Sequence, residues 1–258
     1  MMFPLLLSIC LSSQGVSEPA MVRGGVWLPR LGGTITDGGG AIDFEANIDL
    51  HNKESVPLIE FTVEPIQDIV MSLSFFDFEA SGSGTYSGND TYGGMVMANG
   101  NEWSGSTAIQ SVGFEAAWEV WKPYHTGDST TLSFAPVVGF RWFGVKTILT
   151  NNTASQEVQH QNSWIALQGG LEMEFSWDMS DTASFVDSLG INAQLLAGSM
   201  LGHDGGSMWT IQAGISLYFS QSSSAFFGYR LQELYAEDGN YIFDAGLQGL
   251  FVGGELRF

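Results

Sequence analysis

The sequence predicts an all-β fold, a closed antiparallel up-and-down transmembrane β-barrel of about ten strands, with eight or twelve as the neighbouring counts. Three observations lead there. Apolar residues recur at every second position along most of the chain, and helical periodicity is nearly absent. Clusters of Gly, Asn, Asp and Ser separate the alternating segments, and the connectors they form sort into a longer and a shorter class. The last segment alternates to its final residue: Leu250, Val252, Gly254, Leu256 and Phe258 share one face, while Gly249, Phe251, Gly253, Glu255 and Arg257 share the other.

Taken in order, the expected strands cover 21–31, 56–65, 69–80, 106–121, 131–148, 158–177, 186–200, 208–219, 224–235 and 241–258. The fourth, sixth and eighth are the clearest. Val112, Phe114, Ala116, Trp118 and Val120 alternate with Ser111, Gly113, Glu115, Ala117 and Glu119. Ile165, Leu167, Leu171, Met173, Phe175 and Trp177 alternate with Ala166, Gln168, Glu172, Glu174 and Ser176. Trp209, Ile211, Ile215, Leu217 and Phe219 alternate with Thr210, Gln212, Ser216 and Tyr218. Pro57 and Pro65 fall at the ends of their segment, where a missing N–H is tolerated. Pro136 falls inside the fifth segment and implies a bulge or a local defect there.

The connectors after odd-numbered segments are 32–55, 81–105, 149–157, 201–207 and 236–240; those after even-numbered segments are 66–68, 122–130, 178–185 and 220–223. The two longest belong to the first class. Long loops on one side, short turns on the other and an even strand count are the signature of a membrane barrel, and a soluble sandwich has no reason to sort its loops so. Lipid cannot hydrogen-bond a backbone, so spanning strands must close into an edgeless ring with apolar side chains outward. Trp118, Trp142, Trp177 and Trp209 on the apolar faces suit interface girdles, and the opposite faces, rich in Gly, Gln, Ser and Glu, suit a lumen.

Composition narrows the function classes. The net charge is −20 with only 14% charged residues, and no Lys/Arg run exists to neutralise phosphates, so nucleic acid is excluded as a partner. The apolar run 3–11 is too short to span a bilayer as a helix but fits the core of a secretory signal. The expected division is a signal peptide at 1–15 and a barrel domain at 16–258. The one cysteine, Cys10, lies within the leader.

The terminal alternation ending on Phe258 resembles the last strand of bacterial outer-membrane β-barrels. The order of Arg23–Pro29, Ile42–Leu50, Pro57–Glu64 and Ser72–Phe78 resembles the N-terminal half of the broad group that includes the OmpA membrane domain and OmpW-like porins. The resemblance implies a monomer in the bacterial outer membrane, contact with outer-membrane lipid and lipopolysaccharide, and insertion by the barrel-assembly machinery. It implies an assembly signal at Leu250, Val252, Leu256 and Phe258.

The lumen is expected to hold a charge network of Arg23, Glu60, Glu64, Glu115, Glu119, Arg141, Glu172, Glu174, Arg230, Glu255 and Arg257. Carboxylates removed from water need partners, so Glu–Arg pairs and Gln/Tyr hydrogen bonds are expected across the interior, with structural packing as the plain reading and a gated, narrow cation path as the sharper one. Catalytic sets are weaker. His203-Asp204 and Asp77-Phe78-Glu79 stand where an omptin-like protease carries acidic and Asp/His pairs, yet adjacent residues on a strand point apart. His160 and Ser163 suggest a lipid A deacylase pair, but an offset of three also divides them between faces. The loop residues Asp37, Asp43, Glu45, Asp49, Asn89, Asp90 and Asn99 suit calcium, or divalent ions bridging lipopolysaccharide phosphates, by composition only, with solvated loop as the default. The expected function is therefore structural, surface-interacting or narrow-pore, not enzymatic, and without a cofactor. An outer-membrane hydrolase and a secreted soluble barrel binding a small apolar ligand are the alternatives.

Overall fold

The computed structural model describes residues 20–50, 52–125, 129–180, 185–202 and 204–258, with only the backbone described for 121–125. The expected leader, Cys10, His51 and His203 lie outside the described residues.

Ten long strands form the wall: β1 (Ala20–Asp37), β3 (Val56–Ile66), β4 (Ile69–Thr85), β7 (Glu102–Trp118), β9 (Thr130–Asn151), β10 (Gln156–Asp178), β11 (Ser188–Leu201), β12 (Gly205–Ser220), β13 (Ser223–Asp238) and β14 (Tyr241–Arg257). Four short pieces accompany them: β2 (Ala41–Asp43), β5 (Asp90–Tyr92), β6 (Met95–Met97) and β8 (Trp121–His125). Each long strand pairs antiparallel with its neighbours in the chain, and β14 pairs with β1 from Arg257↔Met21 to Tyr241↔Asp37. The ring is closed, so no wall strand presents an edge. It is an all-β, up-and-down, ten-stranded transmembrane barrel.

Both faces of the wall show why it spans a membrane. In the half nearer the chain termini, the outside carries Phe61, Leu73, Val138, Leu167, Leu171, Leu195, Phe227 and Val252, all at least 41% exposed. The inside of that half carries Ser74, Glu115, Arg141, Gln168, Thr210, Ser216, Arg230 and Glu255, all buried. The apolar sets expected to face outward do so.

Toward the other end the wall reverses its sidedness. β10 is 23 residues long, about twice the ~9–11 that a tilted crossing needs, so it rises well beyond the bilayer. There its outside reads Gln159, Gln161 and Ser163, all exposed, and its inside reads Trp164 and Ala166, both buried. β4 switches at Phe75–Asp77: Leu73 and Phe75 face outward below, Asp77 and Glu79 above, while Phe76, Phe78 and Ala80 are buried inside. One cross-strand row marks the change, with Asp77 opposite Gln110, Gln110 opposite Gly144 and Gly144 opposite Ser163. The row beneath it is Phe75, Val112, Trp142 and Ile165. The outward tier is thus built like a soluble barrel, apolar within and polar without.

The two long loops complete that core. They were expected as solvated acidic loops, and this is corrected. The segment after β1 folds over the barrel mouth through β2 and buries Ile42, Phe44, Ile48 and Leu50. The β5–β6 hairpin buries Tyr92, Met95 and Met97, with Tyr86 just before it. Trp27 packs edge-on to Phe76 with centroids 5.3 Å apart, and Phe44 lies 6.2 Å from Phe243. The expected strand ends are too short at this end because the polar outside hides the alternation. β1 continues to Asp37 and β4 to Thr85.

Pro136 produces no bulge against β10, where the register runs unbroken through Leu171↔Pro136. The irregularity lies on its other side. The β7 ladder stops at Val137, and β8 takes over at Phe134 with a register shift between Trp121 and Tyr124.

Candidate functional site

Beneath the apolar core, the inward tier encloses a polar chamber of about 310 Å³. Its lining runs from Ser74 and Arg230, under the core, to Met21, Glu64 and Tyr218 near the rim where the termini lie. Every polar lining residue except Glu119, which follows β7, belongs to the inward-facing set of its strand, so strand periodicity places the chemistry.

Arg141, 3% exposed, ties β9 to its neighbours. Its Nη2 donates to Glu115 Oε1 at 2.9 Å and to Ser74 Oγ at 3.0 Å, and its Nη1 donates to Ser111 Oγ at 3.3 Å. Glu115 also accepts from Gln168 Nε2 at 2.9 Å and from Gln194 Nε2 at 3.1 Å. One ion pair therefore links β4, β7, β9, β10 and β11. Gly113 stands opposite Arg141 across the β7–β9 ladder, and a methyl group there would overlap the guanidinium. The glycine makes the room that the arginine occupies.

A second knot lies nearer the rim. Glu255, 2% exposed, accepts from Arg23 Nη2 at 2.9 Å and from Arg257 Nε at 2.8 Å. Arg23 also lies 3.7 Å from Glu60 and covers the Phe226 ring at 5.0 Å. Arg257 donates to Tyr218 Oη at 3.1 Å and covers that ring at 4.8 Å.

The remaining expected lumen residues are less tightly held. Arg230 Nε donates to Gln212 Oε1 at 2.8 Å, and the guanidinium sits 5.7 Å over Trp27, but Nη1 has no partner. Glu64 accepts from the Asp68 amide at 2.9 Å, so it caps the β3–β4 turn at the rim instead of pairing with an arginine. Glu119 lines the chamber just past the end of β7, and its amide donates to the Asp68 carbonyl. Glu172 and Glu174 line the chamber and, among the described residues, neither accepts a hydrogen bond nor forms an ion pair. Leu250, Val252, Leu256 and Phe258 stand on the outer wall, 54–76% exposed, and the Phe258 amide donates to the Ala20 carbonyl.

The hydroxyls of Ser74 and Ser111 accept from Arg141, Gln212 accepts from Arg230, and Gln168 and Gln194 donate to Glu115, in keeping with the glutamine hydrogen bonds expected across the lumen. The sequence reading missed one group. The apolar core of the outward tier was announced by Trp27, Leu31 and Ile35 sharing the face that begins with Arg23.

Among the described residues, those weighed for catalysis do not converge. Asp77 and Glu79 project from the outside of the wall, with Gln110 Nε2 donating to Asp77 at 3.3 Å. His160 faces inward at the mouth, where its Nε2 is 2.8 Å from Asp37 Oδ2 and its ring stacks on Tyr241 at 4.5 Å. Ser163 is exposed on the opposite face. Asp43, one of the candidate cation ligands, uses Oδ1 to accept from the Glu45 and Ala46 amides and so shapes its own turn. In the cap, burial pushes Tyr86 and Tyr92 above the ordinary tyrosine range. The Asp90 carboxylate, accepting from Tyr86 at 2.7 Å, raises Tyr86 further.

No protein-family model matches the chain, and no curated protein does. Solved structures do share the barrel. The attachment invasion locus protein Ail of Yersinia pestis is 11% identical with a TM-score of 0.38, covering 94% of this chain and 100% of its own. The outer membrane protease OmpT from Escherichia coli is 8% identical with a TM-score of 0.46, over 96% and 99%. The translocator domain of autotransporter NalP from Neisseria meningitidis is 13% identical with a TM-score of 0.44, over 96% and 91%. At these values the assignment to the class of transmembrane β-barrels rests on the ring closure and the two faces of the wall.

Proposed function

We propose that the protein is a bacterial outer-membrane barrel closed to solute flow, with a structural or surface-interacting role in the envelope and no catalytic one. The observation that carries this reading is the filled outward tier. A narrow pore needs a continuous polar path, and here side chains such as Trp27, Phe76, Phe78, Phe143 and Trp164 are all at most 1% exposed. Closed barrels with outward apolar walls belong to outer-membrane-type bilayers. The C-terminal residues Leu250, Val252, Leu256 and Phe258 remain available on the wall for the assembly machinery, and the polar outside of the outward tier meets the lipopolysaccharide layer. The lipid A deacylase form of the hydrolase reading is disfavoured by His160 and Ser163 standing on opposite faces of β10. The soluble-barrel alternative is disfavoured by the apolar outer face of the inward tier.

The test is conductance of the refolded, full-length barrel in planar bilayers. The expected record is flat at all moderate voltages. Reproducible unitary steps would overturn the closed reading and restore the cation path.

A further inference from the structure

We propose that the outer wall binds the headgroup of an outer-leaflet lipopolysaccharide whose lipid A phosphate carries an ethanolamine, with the phosphate on Arg30 and the ammonium between Glu45 and Glu233. The inference rests on the reading that the outside of the outward tier meets the lipopolysaccharide layer, and not on the barrel being closed.

The site follows the wall upward along β1 and β14. Three outward-facing ladder pairs succeed one another there: Leu28↔Leu250, Arg30↔Gln248 and Gly32↔Gly246. Successive residues on one face of a strand stand ~6.5 Å apart, so the rows rise in steps of that size. Leu28 and Leu250 are 39% and 56% exposed, and with Val26 and Val252 beneath them they offer acyl chains an apolar surface. Arg30 is exposed in the second row. The side-chain oxygen of Gln248 accepts from its Nη2 at 3.0 Å and its Nε at 3.2 Å, which lays the guanidinium along the wall. Gln248 takes two of the five N–H groups of the guanidinium, and the others suit the oxygens of a phosphate.

The third row is a floor of two glycines under two carboxylates. A methyl group on Gly246 would lie 2.6 Å from Glu233 Oε2, and one on Gly32 would lie 3.4 Å from Glu45 Oε1. Glu233 comes from the ladder position opposite Gly246 on β13, and Glu45 comes from the loop that follows β2. The Cβ positions of a ladder pair are ~4.5–5.5 Å apart, so the two carboxylates border one space that an ammonium group can fill. Asp244, in the row beyond, adds to the negative field. The wall therefore reads apolar, then basic, then acidic with height, which is the order of acyl chain, phosphate and ammonium in such a lipid.

Charge selects among headgroups. A bare phosphate on Arg30 meets two carboxylates one row above it and is repelled. An ammonium tethered to that phosphate turns the repulsion into attraction. A bridging divalent ion is the competing occupant of the third row. It needs several converging oxygen ligands, and among the described residues no three acidic or histidine side chains converge as a metal site requires. The several acyl chains of lipid A favour it over a glycerophospholipid with the same headgroup chemistry, because they cover more of the apolar wall.

The test is lipid retention by the refolded, full-length barrel in micelles with chelator present, read by native mass spectrometry. The probes are lipid A with phosphoethanolamine on its phosphate and the same lipid A without it. The modified probe is expected to be held about tenfold more tightly. The double variant Glu45→Gln/Glu233→Gln changes only the outside of the wall, so it is expected to fold as the parent does and to lose that preference. Arg30→Gln is expected to weaken retention of the modified probe about tenfold. Equal retention of the two probes, or an unchanged preference in the folded double variant, would overturn the proposal. A preference seen only with added magnesium would give the carboxylates to a bridging metal, and displacement of the modified probe by equimolar phosphatidylethanolamine would give the site to a glycerophospholipid; either would overturn it too. Retention of neither probe would overturn it together with the lipopolysaccharide reading. A conducting barrel that keeps the preference would sink only the closed-barrel reading.

Discussion

At the residue scale, burial alone does not decide what a charge is worth; its partners do. Arg141 and Glu115 are both buried, and each holds several partners. Arg141→Met is therefore expected to cost about 3–5 kcal/mol, because it leaves a buried carboxylate without its counter-charge. Urea unfolding of the refolded barrel checks this, with Glu172→Gln as the contrasting variant that is expected to be neutral or stabilising. The cap tyrosines give a pH signature. Tyr86 and Tyr92 titrate above the ordinary value of 10.0, so the folded state holds their protons more tightly than the unfolded state does. That contribution is intact below about pH 10 and is lost as pH rises through the folded values. Ultraviolet titration of phenolate formation is expected to find Tyr86 and Tyr92 among the late-ionising tyrosines, with the cap loosening as they ionise. Most arginine and glutamate positions in the lumen were legible from alternation. Which of them pair was not, because pairing depends on strands far apart in sequence, as with Arg23 and Glu255 at a separation of 232 residues.

At the element scale, the wall strands were legible because one face of each carries lipid-exposed apolar residues and the other polar ones. The signal faded in the outward tier, where a buried apolar face and a solvated polar face give the same alternation with the faces exchanged. Period alone cannot distinguish the two, so β1 and β4 were expected to stop near the bilayer boundary. The loop after β1 shows the same limit. Its Asp and Gly content reads as solvated chain, yet Ile42, Phe44, Ile48 and Leu50 are at most 2% exposed. Their spacing fits no regular element, so no periodic template detects them. Replacing residues 41–50 with a Gly/Ser linker is expected to uncork the outward tier and produce conductance steps that the parent lacks. An unchanged flat record would mean that the remaining side chains seal the barrel unaided.

At the scale of the whole molecule, two solvents shape one ring. Below the row of Asp77, Gln110, Gly144 and Ser163, lipid demands an apolar outside and the chamber takes the polar groups. Above it, water demands a polar outside and the lumen takes the apolar ones. Substitutions on one face of β10 should therefore differ by height. Leu171→Arg, at 60% exposure on the lower wall, is expected to cost about 2–4 kcal/mol, and Gln161→Arg close to nothing, measured by equilibrium refolding into lipid vesicles. The most direct measurement of this reversal is fluorophore quenching by brominated lipid along the outside of β10. Labels go on single cysteines at positions 159, 163, 167 and 171 in a background lacking Cys10. Strong quenching is expected at 167 and 171, falling to nothing at 159. Equal quenching at all four positions would place the whole wall in lipid and contradict the two-tier barrel.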